Sequence, residues 1–186
     1  MNRLEATRTV VAHARDAAII SSLGHPTYDL FAARDRPQNF YTWGSMGIAS
    51  SIGLGLALAR PAERVIVIDG DGSLLMNLGS LATIGLLQPP NLVLIVMDNG
   101  EYATTGRQPT ATASGADLAA AASAMGISSA TAVHDADQLS HALRHTAKGP
   151  HVIVARVSES TPIARPSLDC LAIKTRFMTA LGCPEP

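Results

Sequence analysis

The stretch Val65-Ile66-Val67-Ile68-Asp69-Gly70-Asp71-Gly72-Ser73 decides the fold. Its first four residues are all apolar and β-branched, with no alternation. That pattern reads as a strand covered on both faces, as in a parallel sheet. The turn that follows is rich in glycine and carboxylate. It runs into a helical pattern over residues 74–87 that stops before Pro89-Pro90. Strand, tight turn and helix form the repeating unit of an open α/β sheet, which binds ligands outside the carboxyl ends of its strands.

Similar apolar runs lie on either side, at residues 17–21, 92–97 and, interrupted, 152–157; residues 39–43 are a weaker strand candidate. Helical patterns over 2–15, 45–59, 117–125, 137–146 and 166–181 alternate with them. Gly126 and Gly149 read as helix stops. Gly53 and Gly55 would weaken the 45–59 helix, so a backbone or ligand close to them is expected. The segment 101–115 has little periodicity, and irregular stretches of this length in compact domains usually carry function. The expectation is an α/β, doubly wound, mostly parallel sheet with helices on both faces. It forms one domain over residues 1–186, with an N-terminal helix at 1–15 and a C-terminal helix or tail at 166–186.

Composition supports this and removes other classes of function. Apolar residues make up 47% of the 186, enough for a sizeable core, and aromatics only 4%, so small and branched aliphatic side chains carry the packing. The net charge is −1 with no basic run, which argues against a nucleic-acid surface. No apolar stretch reaches the roughly 20 residues of a membrane span, and the polar start of the chain is not a secretory signal. Cys170 and Cys183 lack metal-ligand spacing and read as inert thiols of a cytoplasmic protein. His13, His134, His141, His145 and His151 read as surface or helix-face residues.

Three strand ends carry the candidate site. They are Ser22-Leu23-Gly24-His25-Pro26-Thr27, Gly70-Asp71-Gly72-Ser73 and Asp98-Asn99-Gly100-Glu101-Tyr102. Glycines at the second would let a ligand approach the backbone, and a helix start offers free N–H groups to an anion. Asp71 places a carboxylate at that same anion site, which makes sense with a cation between the two. Magnesium suits oxygen donors and bridges carboxylates to phosphates. Asn99 could add an amide oxygen and Glu101 a backbone carbonyl.

Gly70-Asp71-Gly72, followed after 25 residues by Asp98-Asn99, resembles the thiamine-diphosphate fingerprint. One departure is visible: Asp98 stands where the fingerprint carries the first of two asparagines. Gly44-Ser45-Met46-Gly47 strengthens the likeness. Residues 40–47, 70–81 and Thr105-Gly106-Arg107-Gln108-Pro109-Thr110 are similar to the C-terminal part of phosphonopyruvate decarboxylases and to the β subunits of sulfopyruvate decarboxylases. The likeness spans about residues 15–160.

The resemblance implies a cofactor, thiamine diphosphate with Mg2+, and decarboxylation of a small 2-oxo acid to an aldehyde. The metal ligands it implies are Asp71, Asn99 and Glu101. The cofactor contacts are Gly24, His25, Gly44, Ser45, Met46, Gly70, Asp71, Gly72, Ser73, Asn99, Glu101, Tyr102 and Ala103. Met46 would prop the cofactor into its bent shape, and the Gly44 carbonyl would take a hydrogen bond from its amino group. His25 and Arg107 are the candidate cations for an anionic substrate. The activating glutamate belongs to a pyrimidine-binding domain, expected here as a separate α subunit in an α2β2 or larger assembly. Two rival readings are another split thiamine-diphosphate enzyme, of 2-oxoacid oxidoreductase or transketolase type, and a non-catalytic subunit that keeps the cofactor fold.

Overall fold

The computed structural model describes residues 1–146 and 149–183. Its centre is a six-stranded sheet built from β1 (Ala18–Ser21), β2 (Asn39–Tyr41), β3 (Val65–Gly70), β4 (Leu92–Asp98), β5 (Ser129–Val133) and β6 (His151–Arg156). The order across it is β2-β1-β3-β4-β6-β5, and every pairing is parallel. The four expected apolar runs and the weaker one at 39–43 all form strands.

Alternate residues of each central strand serve opposite layers. Ile66 and Ile68 of β3, with Val93, Ile95 and Met97 of β4, face one core; Val65 and Val67, with Leu92, Leu94 and Val96, face the other. On the first side lie α1 (Arg3–Ala14), α2 (His25–Ala33) and α7 (Ala136–Arg144); on the second lie α3 (Ala49–Ala59), α4 (Asp71–Met76), α5 (Ser80–Leu87) and α6 (Leu118–Ala124). Burying one such aliphatic side chain contributes about 1.5–3 kcal/mol, and both faces of the central strands contribute, which is why these runs never alternate. The last helix, α8 (Cys170–Ala180), sets Phe177 and Leu181 against Phe40 and Leu56.

Several elements differ from the sequence expectation. The 45–59 helix begins only at Ala49, because Gly44, Ser45 and Gly47 all take positive φ. Gly53 lies close to a neighbour, but the neighbour is a side chain: a Cβ there would lie 2.1 Å from Val67 Cγ2. Gly55 faces open space and has no neighbour of the expected kind. The 74–87 helix is two helices, broken at Asn77, whose φ −138° and ψ 49° leave the helical region. Residues 22–27, read as a strand-end segment, run from His25 into α2, with Pro26 in its first turn. Strand β5 had no counterpart among the apolar runs. Helix α7 ends at Arg144, well before Gly149, while α6 stops at Gly126 (φ 90°) as expected. The 166–181 helix starts at Cys170, where Asp169 caps it by accepting from the Ala172 amide at 2.9 Å; residues 184–186 of the expected tail lie outside the described residues. His151 is a buried strand residue paired with Ser129 Oγ at 2.6 Å, not a surface one. Among the described residues no helix is long and apolar enough to cross a membrane.

The strand order reverses direction between β1 and β3, so the crevice of a doubly wound sheet falls at their carboxyl ends. Ser22, Gly70 and, one strand over, Asp98 mark that rim.

Candidate cofactor site

A cavity opens at this rim. Asp71, Asn99, Glu101, Tyr102, His25 and Met46 line it, together with Gly70, Gly72, Ser73 and Ala103. Residues from all three strand ends therefore meet. Gly24, Gly44, Ser45 and Arg107 are outside its wall. Gly24 backs it, since a Cβ there would lie 2.7 Å from Thr104 Cγ2, and Thr104 does line the cavity. Arg107 is exposed and forks onto Glu101, with Nη2 donating to Oε1 at 2.7 Å and Nε to Oε2 at 3.2 Å.

Asp71 is the first residue of α4 and is buried. Its Oδ2 accepts from the hydroxyls of Thr110 and Thr112, the latter at 2.9 Å. Thr112 also lies 2.8 Å from Asp98 Oδ1, and the two threonine hydroxyls are 2.9 Å apart. The single Thr112 hydroxyl thus lies between two buried carboxylates and has one proton to give to either. No hydrogen bond among the described residues engages Asp71 Oδ1 or the Glu101 carbonyl. Asn99 Oδ1 accepts only a long bond, 3.3 Å, from the Glu101 amide. Asp71, Asn99 and Glu101, all on the cavity wall, can between them offer a carboxylate oxygen, an amide oxygen and a backbone carbonyl, the hard donors that Mg2+ takes.

Hydrogen bonds and close packing tie the wall around these donors together. Ser73 Oγ accepts from the Gly47 amide at 3.0 Å and lies 3.1 Å from Ser22 Oγ, tying three segments together. Gly47 at φ 91°, directly after Met46, sharpens the turn that holds the Met46 side chain at the cavity. A Cβ on Gly72 would lie 2.4 Å from Tyr102 Cε1, so only glycine lets α4 and the 101–105 turn close up.

Charge around the cavity has clear causes. Burial pushes the Asp98 carboxyl up, opposed by the Thr112 hydrogen bond; the Asp71 charge adds to the rise and Arg156 opposes it. Burial likewise pushes up Asp69, fully enclosed beneath the turn, where its Oδ1 accepts from the Gly70 amide at 2.9 Å. His25 is lowered by burial and by Arg3, against the pull of Glu159. Burial and Arg3 thus both work against a fixed positive charge on this imidazole.

Arg3 and Glu159 belong to this site and were not singled out in the sequence. Arg3, on α1, is 3% exposed and reaches the cavity. It donates to Asp29, Glu159 and the Ser160 carbonyl. Glu159 accepts in addition from Asn99 Nδ2 at 2.6 Å and lies 3.4 Å from His25 Nδ1. No local motif marks either residue. Thr110 closes the Thr105–Thr110 segment quoted above, but nothing in that segment points to its bond with Asp71.

Fold and site together define a thiamine-diphosphate-binding domain. Residues 22–155 match the family model described as "Thiamine pyrophosphate enzyme, C-terminal TPP binding domain". The β subunit of sulfopyruvate decarboxylase from Methanothermobacter thermautotrophicus is 42% identical over 96% of this chain and 94% of its own length. Phosphonopyruvate decarboxylase from Streptomyces viridochromogenes is 41% identical over 91% of this chain, which spans 43% of that longer protein. Among solved structures, benzoylformate decarboxylase from Polynucleobacter necessarius superposes with a TM-score of 0.69 over 88% of this chain and 34% of its own, at 18% identity, a likeness of fold. The chain belongs to the thiamine pyrophosphate enzyme family, in the group of the sulfopyruvate decarboxylase β subunits.

Proposed function

We propose that this chain is the diphosphate- and magnesium-binding subunit of a heteromeric thiamine-diphosphate-dependent decarboxylase. With a separate pyrimidine-binding α subunit it converts sulfopyruvate, or phosphonopyruvate, to the corresponding aldehyde and CO2. The observation that carries this reading is the nearly end-to-end match to a β subunit of sulfopyruvate decarboxylase. Two of each chain, in the cytoplasm, is the arrangement we favour.

When bound, thiamine diphosphate supplies the electron sink for loss of CO2 from a 2-oxo acid. The chain's own residues do the holding. Asp71 Oδ1, Asn99 Oδ1 and the Glu101 carbonyl would hold Mg2+ against the diphosphate; their free lone pairs and shared wall support the assignment. Thr110 and Thr112 restrain the other Asp71 oxygen, so the ligand oxygen does not need to reorganise on binding. The Gly70–Ser73 segment and Tyr102 would line the diphosphate, and Met46 would support the bent cofactor. His25 would donate a hydrogen bond to the diphosphate or to the acidic group of the substrate, whose negative charge favours a proton on the imidazole. Arg107 could reach an anionic substrate only by leaving Glu101.

The test is reconstitution. The chain mixed with its α partner, Mg2+ and thiamine diphosphate should release CO2 and aldehyde from sulfopyruvate or phosphonopyruvate, and the chain alone should not. Turnover by the chain alone would overturn the split site, and no turnover of either acid by the pair would overturn the substrate class.

A further inference from the structure

Glu159 lies in the segment after β6, 60 residues from Asn99 in sequence, yet its Oε1 accepts from Asn99 Nδ2 at 2.6 Å. The backbone puts it there. Asn2 and Ser158 form a parallel bridge, with the Arg3 amide donating to the Ser158 carbonyl at 3.0 Å and the Ser158 amide to the Met1 carbonyl at 3.2 Å. The start of α1 is thereby stitched to the residue preceding Glu159. Arg3, buried, donates to the same carboxylate oxygen.

A side-chain amide has two ends of almost equal size, one a donor and one an acceptor. Shape alone does not decide which end faces the cavity, and only the oxygen can ligate a cation. An ionised carboxylate accepts and cannot donate. Placed behind Asn99, it selects the NH2 end for itself and turns the oxygen away. Arg3, itself buried, ion-pairs with this carboxylate, and an ion-paired carboxylate offers acceptors only. Metal ligands are commonly oriented by such outer partners, whose loss costs about 10–100-fold in metal affinity.

We infer that Glu159, clamped by Arg3, is a positioning residue that fixes the Asn99 amide with its oxygen toward the cation. This rests on the reading of Asp71 and Asn99 as cation ligands, and the experiment separates the two. Mn2+ serves as the probe in the reconstituted complex with thiamine diphosphate, and free Mn2+ is counted by electron paramagnetic resonance. Asn99→Asp alone should weaken Mn2+ binding by about tenfold or more, although it adds a charge, because the new carboxylate faces Glu159. The reciprocal swap Asn99→Asp with Glu159→Gln keeps the net charge and restores one amide–carboxylate hydrogen bond. It should bring affinity back to within about threefold of the native complex by removing the repulsion between two carboxylates, and Glu159→Met, which takes the acceptor away and leaves either end of the Asn99 amide free to face the cation, should bind Mn2+ about tenfold more weakly. If Glu159→Met binds Mn2+ as tightly as the native complex, while Asp71→Ala still abolishes binding, the positioning role falls and the cation site stands. If Asp71→Ala leaves Mn2+ affinity intact, the cation site and the inference fall together.

Discussion

Asp98 and Arg156 are register partners on neighbouring parallel strands, and their side chains meet as an ion pair at 2.8 Å. This pair explains how an aspartate is tolerated where the thiamine-diphosphate fingerprint carries asparagine. The added charge is buried, one residue from a proposed metal ligand, and a partly exposed guanidinium across the ladder compensates it.

Compensation is incomplete, since Asp98 is still raised above its ordinary value. A carboxyl raised on folding binds its proton more tightly in the native state. Its ionised form therefore costs stability at pH 7, and that cost vanishes at pH values below about 4, where both states are protonated. Asp98→Asn should raise the melting temperature at pH 7, by about 2–4 °C per kcal/mol recovered, and leave it unchanged near pH 3. Arg156→Met should lower it at pH 7. Thermal melts at the two pH values check both signs.

Asp71→Ala should weaken magnesium-dependent binding of thiamine diphosphate by at least about a hundredfold, beyond what loss of an outer partner costs, with circular dichroism unchanged. Calorimetry on the reconstituted complex is the measurement; undiminished affinity would remove Asp71 from the metal site.

Thr112→Val removes a hydroxyl that lies between two carboxylates. Leaving buried acceptors short of a donor costs about 1–3 kcal/mol. The loss should be larger at pH 7 than near pH 3, where a protonated carboxyl can itself donate. Denaturant unfolding at both pH values reads the difference.

Two glycines predict opposite outcomes. A Cβ on Gly85 would meet the Met125 carbonyl oxygen at 1.9 Å, and backbone cannot yield as a side chain can. Gly85→Ala should cost about 1–3 kcal/mol. Gly55 sits in a helix interior facing open space, so Gly55→Ala should add about 0.5–1 kcal/mol. Chemical denaturation of the two variants should bracket the native chain.

His25 is lowered by burial and Arg3. A base lowered on folding binds protons more weakly in the native state, so stability falls as pH drops from about 6.5 toward the folded value. Its imidazole resonance should titrate below 6.5 by NMR, and Glu159→Gln should move it lower still, since Glu159 is the group that raises it.

Strands β3 and β4 were legible because both faces are buried, which leaves an uninterrupted run of branched side chains. Strand β5 was not, because an edge strand made of Ser129, Ala130, Thr131 and Ala132 buries almost nothing and carries no apolar signal. Helix α2 was hidden by Pro26, which reads as loop yet suits a first helical turn. The break at Asn77 has no proline to announce it. At the site, Asp71, Asn99 and Glu101 are close to their strand ends, where a topology-based search looks. Arg3 and Glu159 arrive from opposite ends of the chain through backbone pairing that no local pattern encodes.

The stitching of Met1 and Arg3 to Ser158 has a practical side. Residues 1–3 carry both halves of the bridge that seats Glu159 and the guanidinium that holds it. Deleting residues 1–3 removes bridge and guanidinium together, and protein so shortened is expected to load metal poorly even though the cation ligands themselves are untouched.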